Sequence, residues 1–399
     1  MDVASPAVPA ARSGGNPGRA EVAVIGAGII GMSTAWHLSR RGLDVVVVDK
    51  VGVGSGMTGL QPGGIRTQWA SRESCEMALE SQRFYERFAD ETGTGHDPGL
   101  DHCGYCFIAS TQATLEMLAE AVRQQNSLGV SSVMLGPDDL AELVPGLATD
   151  ELAGGSFNPQ DGYLDRPGAP VAGFAEAAEA SGASLVISQV ERIDEEGATW
   201  SLRLTGGGRI TAPHVVIAAG MGSVELCESV GITLPLEPEP RYLFYSPQIK
   251  PCLVKPLLVF QDEHFAVKHL ADGSVLASDL SIPPDAEIDE QRWRDNVTDA
   301  AHRLVPVLSY VRFPTMVTGI YDVTPDAQLL VGPLSGRDGI VLAAGMNGRG
   351  LMVAPSVGRM VTELVLGDTS GVPESLLPDR FSEDSASVTA APRGESMVI

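Results

Sequence analysis

The sequence predicts an α/β protein built on two kinds of sheet. One is a parallel sheet flanked by helices. The other is the largely antiparallel sheet of an inserted α+β domain. Three observations predict this. Residues 21–50 run strand, glycine-rich turn, helix, strand. Residues 339–366 repeat strand, glycine loop and helix near the other end of the chain. Between them, from Leu234, proline clusters and short strands replace that texture.

The first stretch reads EVAVIGAGIIGMSTAWHLSRRGLDVVVVDK. Glu21–Ile25 is an apolar run suited to a buried parallel strand. Gly26, Gly28 and Gly31 then give GxGxxG at the strand-to-helix turn. Gly42 ends the helix, and Leu43–Val48 is a β-branched strand closed by Asp49. This is the Rossmann-like fingerprint for a dinucleotide. Gly26 permits the tight turn, Gly28 lets the backbone approach a pyrophosphate, and Gly31 lets helix and strand pack closely. The helix N-terminus turns N–H groups and a positive dipole end toward the phosphates. Asp49 suits ribose hydroxyls and disfavours a 2′-phosphate. The cradle assigned on this pattern is Ile25, Gly26, Gly28, Ile29, Ile30, Gly31, Asp49 and Lys50. The fingerprint alone leaves FAD and NAD both open.

Bulk properties exclude several classes. A chain of 399 residues is too long for one small core, so two domains are expected. Net charge is -24, from 27 basic and 51 acidic residues. That argues against nucleic acid and anionic membrane surfaces, which need basic patches. No apolar run is long enough to cross a membrane. Five cysteines at irregular spacing argue against a disulfide framework and fit a reducing cytoplasm. Cys103 and Cys106 form a CxxC, but no second pair or spaced histidine follows to complete a zinc site, and no metal is expected.

Taken in order, residues 1–19 read as a disordered leader rich in Ala, Pro, Gly and Ser. Residues 20–100 belong to the nucleotide domain. They hold a glycine-rich loop at Val51–Gly64, the run Gly64-Ile65-Arg66-Thr67, and a helix over Glu73–Thr92. A cation at Arg66 suits a phosphate, a flavin carbonyl or a substrate carboxylate. Residues 101–155 pass into the substrate domain, with a strand at His102–Ser110 and a helix at Thr114–Leu128. Residues 156–233 return to the nucleotide domain. Gly154–Asp165 reads as a loop, Gly168–Ser181 as a helix, Leu185–Ile193 as one strand. His214–Ala218 is a buried strand running into Ala219 and Gly220, backbone that passes close to the nucleotide. Residues 234–318 form the rest of the substrate domain, with strands at Arg241–Tyr245, Leu257–Phe260, His264–Lys268 and Ser274–Ala277. Residues 319–368 bring back the nucleotide domain and its last helix, and 369–399 read as a disordered tail.

The pieces IGAGIIGMSTAWHL…VVVVDK, PGGIRTQ, FNPQDGYLD, VVIAAG and TPDAQLLVGPL…GIVLAAGMNGRGLMVAPSVGRMV together resemble the D-amino-acid oxidase (DAO) superfamily. That group includes glycine and sarcosine oxidases and the β-subunit type of sarcosine and proline dehydrogenases. The resemblance implies FAD. It places the pyrophosphate on Gly26, Gly28 and Gly31, the adenosine ribose on Asp49, and adenine on the Val190 backbone. It sets Gly64, Ile65, Arg66 and Thr67 beside the flavin ring. Gly345, Gly348, Arg349, Gly350 and Leu351 would bring the last helix N-terminus to the flavin pyrimidine edge. Sarcosine oxidase-like members grip the substrate carboxylate with a lysine in that helix; Met352 stands there. Glycine oxidase-like members carry an arginine about where Gly348 stands, one place from Arg349. Gly319 replaces the cysteine that attaches flavin in some relatives, so non-covalent FAD is expected.

The resemblance implies oxidation of a small amine or amino acid to the imine, by hydride transfer to flavin N5, with oxygen or another acceptor taking the electrons. Arg66 and Arg349 are the candidates for anchoring an acidic group or tuning the flavin. Tyr245, Met346 and Met352 are the candidate pocket residues. Two alternatives remain. A 2-hydroxy-acid oxidase or dehydrogenase would need a base, for which His264 or His269 is the candidate. A flavin-bound assembly protein would reduce its FAD with none of these compounds.

Overall fold

The computed structural model describes residues 18–381. Its central sheet has six strands, in the order Leu330–Pro333, Ile340–Ala344, His214–Ile217, Val22–Ile25, Val45–Asp49, Ser184–Ile187. Five run parallel and Leu330–Pro333 is antiparallel to its neighbour. Val22–Ile25 is fully buried, as a strand covered on both faces must be. The first helix, Ile29–Arg40, and the last, Gly350–Val365, pack on one face of this sheet. A three-stranded antiparallel sheet, Val190–Glu196, Thr199–Leu204 and Arg209–Ala212, packs on the other.

Those two helices come from sequence ends more than 300 residues apart, yet the Ser33 hydroxyl donates to the Ala354 carbonyl at 2.8 Å. Pro355 sits inside the last helix and has no N–H for the carbonyl four residues back. The Tyr85 hydroxyl supplies that bond, donating to the Leu351 carbonyl at 2.7 Å.

The second large sheet has eight strands, in the order Thr315–Val323, Glu237–Tyr245, Val275–Asp279, Phe265–His269, Leu257–Phe260, Tyr105–Ala109, Gly154–Asn158, Val133–Leu135. It is antiparallel except where Leu257–Phe260 meets Tyr105–Ala109. One face packs on the helix Glu290–Leu304. The other carries Tyr105, Phe107, Leu257 and Val259. A small sheet of Gly64–Ile65, Gly162–Leu164 and Leu100–Asp101 completes the fold. The mixed α/β architecture expected from the sequence is the one found.

Several expectations are corrected. Gly154–Asp165 is two strands, not a loop; its pairing with Tyr105–Ala109 is tertiary and outweighs its loop-like composition. Leu185–Ile193 is split between two sheets, at Ser184–Ile187 and Val190–Glu196. The helix expected over Glu73–Thr92 breaks into Arg72–Tyr85 and Phe88–Thr92. The strand expected from Arg241 begins at Glu237 and includes Pro238 and Pro240. It tolerates them because there it pairs with one strand only, Thr315–Val323. The tail expected to be disordered from Thr369 is packed as far as Phe381: Leu376 is fully buried and Arg380 pairs with Asp326 at 2.8 Å. The rest of that tail, and residues 1–17 of the leader, lie outside the described residues. Cys103 and Cys106 belong to separate core clusters, Cys103 with Tyr163 and Cys106 with Phe260, so the CxxC does not form a pair. Among the described residues no group of His, Cys, Asp and Glu is placed to hold a metal, and no helix is long and apolar enough to cross a membrane.

Candidate functional site

The first glycine turn is shaped by close backbone approach. A Cβ on Gly31 would stand 1.9 Å from the Gly26 carbonyl oxygen, and one on Gly26 would stand 2.3 Å from that of Ala218. The turn thus abuts Ala218 and Ala219, just past the strand His214–Ile217 and just before Gly220. The helix starts at Gly28 with no side-chain cap and no acidic residue in its first turn. This is a cradle a side chain would fill, with a positive helix end facing it, and it suits an anion such as a pyrophosphate. Asp49 braces the turn. Its Oδ2 accepts from the Ala27 N–H at 2.8 Å, and its Oδ1 from those of Val51 and Gly52, each at 2.8 Å. The Ile29 N–H donates to the Thr58 hydroxyl at 3.0 Å. Ile25 and Ile30 are buried beneath the turn and Lys50 is exposed beyond it. Val190 is buried at the head of its strand, just past Ser188, whose N–H donates to the Asp49 carbonyl.

The second component is the loop after Gly64–Ile65. Arg66 is 1% exposed; its guanidinium lies 3.5 Å from the centroid of the Trp69 ring and donates to the Gln68 carbonyl. Thr67 donates twice to Asp161 Oδ1, through N–H and hydroxyl, each at 2.7 Å. The third component is the C-terminal glycine loop. Asp322 receives the Gly345 N–H at 2.9 Å and that of Met346 at 3.1 Å. Asn347, at φ 49, receives the Thr324 N–H at 3.1 Å. Gly348, at φ 77, lies under the Tyr321 ring, where a Cβ would meet ring carbons at 2.4 Å. Arg349 is 2% exposed and donates to the Ser74 hydroxyl at 2.7 Å and to the Ala327 carbonyl.

These components converge. Arg66, Trp69, Tyr321, Asn347, Arg349 and Met352 line one cleft. Arg349 lies 5.1 Å from the Trp69 ring centroid, so one indole receives both guanidiniums. Gly350 and Leu351 open the helix beside the cleft. Met346 faces the core with Ile29 and Leu351 instead. Tyr245 packs among Tyr105, Tyr163 and Leu243, on the eight-stranded sheet. His264 is not brought to this cluster. It occupies a tight turn at φ 51 and lines a second cleft with Asp279, Asp299 and Arg303. His269 accepts the Leu253 N–H, and burial lowers its pKa. Burial also raises the Tyr321 phenol and the Asp322 carboxyl. The sequence does not single out Trp69, Asp161, Tyr321, Asp322 or Asn347. Asp161 stands in the FNPQDGYLD run and Asn347 in the glycine loop, but no spacing marks the role of either.

Known proteins match this architecture. Residues 21–364 match the family "DAO: FAD dependent oxidoreductase". The chain is 26% identical to 4-methylaminobutanoate oxidase (formaldehyde-forming) of Paenarthrobacter nicotinovorans, over 92% of this chain and 46% of that protein. It is 28% identical to mouse mitochondrial dimethylglycine dehydrogenase, over 87% of this chain and 42% of that one. The chain thus spans less than half the length of these two relatives. Glycine oxidase of Geobacillus kaustophilus is 28% identical, over 87% of this chain and 93% of that enzyme. Among solved structures, L-proline dehydrogenase from P. horikoshii superposes with TM-score 0.85 at 26% identity, covering 92% of this chain and 98% of that one. The glycine cradle fits FAD, and the match covers most of the sequence: the chain belongs to the DAO family of FAD-dependent oxidoreductases.

Proposed function

We propose that the protein oxidises a small amine or amino acid carrying a carboxylate, passing the electrons to oxygen or to another acceptor. The observation that carries this reading is the pair of buried arginines, Arg66 and Arg349, both against the Trp69 ring in one cleft. The relatives are named for methylaminobutanoate, dimethylglycine, glycine and proline, each of which holds an amine and a carboxylate. The anchoring lysine of sarcosine oxidase-like members is Met352 here. Two guanidiniums in a water-poor cleft supply the charge in its place, where an ion pair is worth more than in water.

FAD, when bound, supplies the two-electron chemistry. The Gly26–Gly31 turn would hold its pyrophosphate. Asp49 Oδ2 accepts the Ala27 N–H and keeps capacity for a ribose hydroxyl. Val190, Ala219 and Gly220 would border the adenosine side. Arg66 and Thr67 would flank the ring, and the Gly345–Leu351 loop would set the last helix N-terminus toward its pyrimidine edge, where charge accumulates on reduction. Arg349 would orient the substrate carboxylate so that the amine carbon faces the ring. No side-chain base is needed if the amine arrives neutral. The hydroxy-acid alternative does need one, and His264 and His269 stand away from the cleft. Residues 20–100, 156–233 and 319–368 would form the cofactor domain, and 101–155 with 234–318 the substrate domain. The cysteines form no disulfide, which suits a reducing compartment such as the cytoplasm.

The test is an anaerobic titration of the FAD-loaded protein with amines, amino acids and 2-hydroxy acids. Bleaching by an amine-bearing carboxylate, slowed on the order of a hundredfold in Arg349→Ala, is the expected result. Bleaching by hydroxy acids alone would replace the reading with its alternative. Bleaching by none would leave the assembly role.

A further inference from the structure

We propose that Asp161 is a positioning residue for the flavin: its carboxylate fixes the loop Arg66–Gln68 and offsets the Arg66 charge, and so sets how readily bound FAD is reduced. The inference rests on the placement of that loop beside the ring, but not on the identity of the substrate.

Asp161 lies in the turn between Gly154–Asn158 and Gly162–Leu164 and is fully buried. Its carboxylate oxygens accept from four donors. Oδ1 accepts from the Thr67 N–H and hydroxyl, each at 2.7 Å, and from Asn158 Nδ2 at 3.0 Å. Oδ2 accepts from Gln68 Nε2 at 3.1 Å. Two consecutive residues after Arg66 are thereby tied to one carboxylate from a distant turn. Asn158 adds a bond to the Thr67 hydroxyl, and Gln68 one to the Tyr105 carbonyl. The backbone at Arg66 is held with them, which fixes where its guanidinium starts out toward Trp69.

The arrangement suits an ionised carboxylate, since a protonated one would need an acceptor. Yet burial pushes the Asp161 carboxyl up to about 6, against the bonds from Thr67 and Gln68 and the attraction of Arg66. The charged or titratable groups facing it are Arg66, from the tethered loop, and the Tyr105 phenol, from strand Tyr105–Ala109. Gln68, Asn158 and Ser156 are neutral. The segment before Tyr105 contributes the Gly104 N–H, to the Asp161 carbonyl.

A folded value above that of a free aspartate means that ionising Asp161 costs stability. Its contribution to stability is fully present below about pH 4 and is lost as pH rises through about 6. Above that pH the carboxylate offsets part of the Arg66 charge and disfavours the extra negative charge of reduced flavin. Below it the offset disappears, and reduction becomes easier.

The experiment is the flavin midpoint potential of the FAD-loaded protein, measured against reference dyes from pH 5 to 8 without substrate. Wild type should show a break near pH 6. Asp161→Asn keeps the shape and removes the charge. It should lose the break and be easier to reduce at pH 8, by on the order of tenfold in the equilibrium with the dye. Thr67→Val removes one bond to the charged form and should move the break to higher pH. An Asp161→Asn protein that keeps the wild-type profile overturns the proposal. So does an unmoved break in Thr67→Val, which remains informative if the first variant does not fold. Arg66→Ala tests the loop separately from the carboxylate. An unchanged potential there refutes the loop's place beside the flavin. A changed potential there, with Asp161→Asn like wild type, refutes the role of Asp161 alone.

Discussion

The chain contains two strand–glycine–helix turns, and they are built differently. The turn at Gly26–Gly31 is held by its own backbone. Its glycines touch carbonyl oxygens at Gly26 and Ala218, and its one carboxylate brace, Asp49, lies at the end of the next strand. The loop at Gly345–Gly350 is held from the other sheet. Asp322 and Thr324, from strand Thr315–Val323 and the residue after it, receive or supply its bonds, and Tyr321 covers Gly348. A turn packed against backbone, with only its Ala27 and Ile29 N–H groups taken by side chains, presents N–H groups and little else, which suits a phosphate common to many ligands. A loop held by side chains can present Arg349 at a fixed place, and can differ between relatives without disturbing the first turn. On the proposed function, the difference would separate the part of the site that holds the cofactor from the part that addresses the substrate.

Three substitutions would break or sharpen that contrast. The largest effect is expected at Gly31→Ala, where the new Cβ would meet a backbone oxygen that has no side chain to move aside. The cost should exceed the about 1–3 kcal/mol usual for overpacking, and thermal melting should show it, with FAD lost. A variant that kept FAD and melted as wild type would show that the first turn is not backbone-limited. Next is Asp322→Ala, which strips the acceptor from two N–H groups and should cost about 1–3 kcal/mol for each left unpaired. Melting should fall while the first turn still binds an adenine dinucleotide fragment such as ADP; equal loss of ADP binding would join the two turns into one unit. The smallest effect is at Asp49→Ala. The Val51 and Gly52 N–H groups lie near the surface and can turn to water, so only the buried Ala27 N–H is left unpaired and about 1–3 kcal/mol is expected. It should appear as lower FAD retention in a folded protein, and unchanged flavin content would remove Asp49 from the ribose assignment.

The same contrast explains which parts of the site are legible in the sequence. The first turn is local: strand, glycines, helix, strand and acid follow one another in a single short stretch, and periodicity and spacing display all of them. The second turn is recognisable as a glycine loop ahead of a helix, but its bracing is not. Asp322 carries no spacing signal relative to Gly345, and Tyr321 is one more aromatic in a strand. Arg66 and Arg349 stand out singly and cannot be paired from the sequence, because the indole that receives both is set by the path of the loop after Gly64. His264 looks equivalent to any other histidine in the antiparallel region. Only the turn between strands Leu257–Phe260 and Phe265–His269 sends it to a different cleft.

The sequence by itself determined the α/β class, the dinucleotide turn, the resemblance to FAD oxidoreductases and most helices and strands. These depend on contacts within a few turns of chain, or on glycines that no other residue can replace. Tertiary structure decided that Gly154–Asp165 folds as two strands joined by a turn, that prolines 238 and 240 lie within a strand, and that residues 369–381 pack on the core. It also decided that Trp69 and Tyr321 line the cleft with the two arginines, and that Asp161 and Asp322 brace the loops behind it. Each of those outcomes depends on partners distant in the sequence or on a neighbouring strand's edge, where burial and hydrogen-bond satisfaction outweigh local propensity.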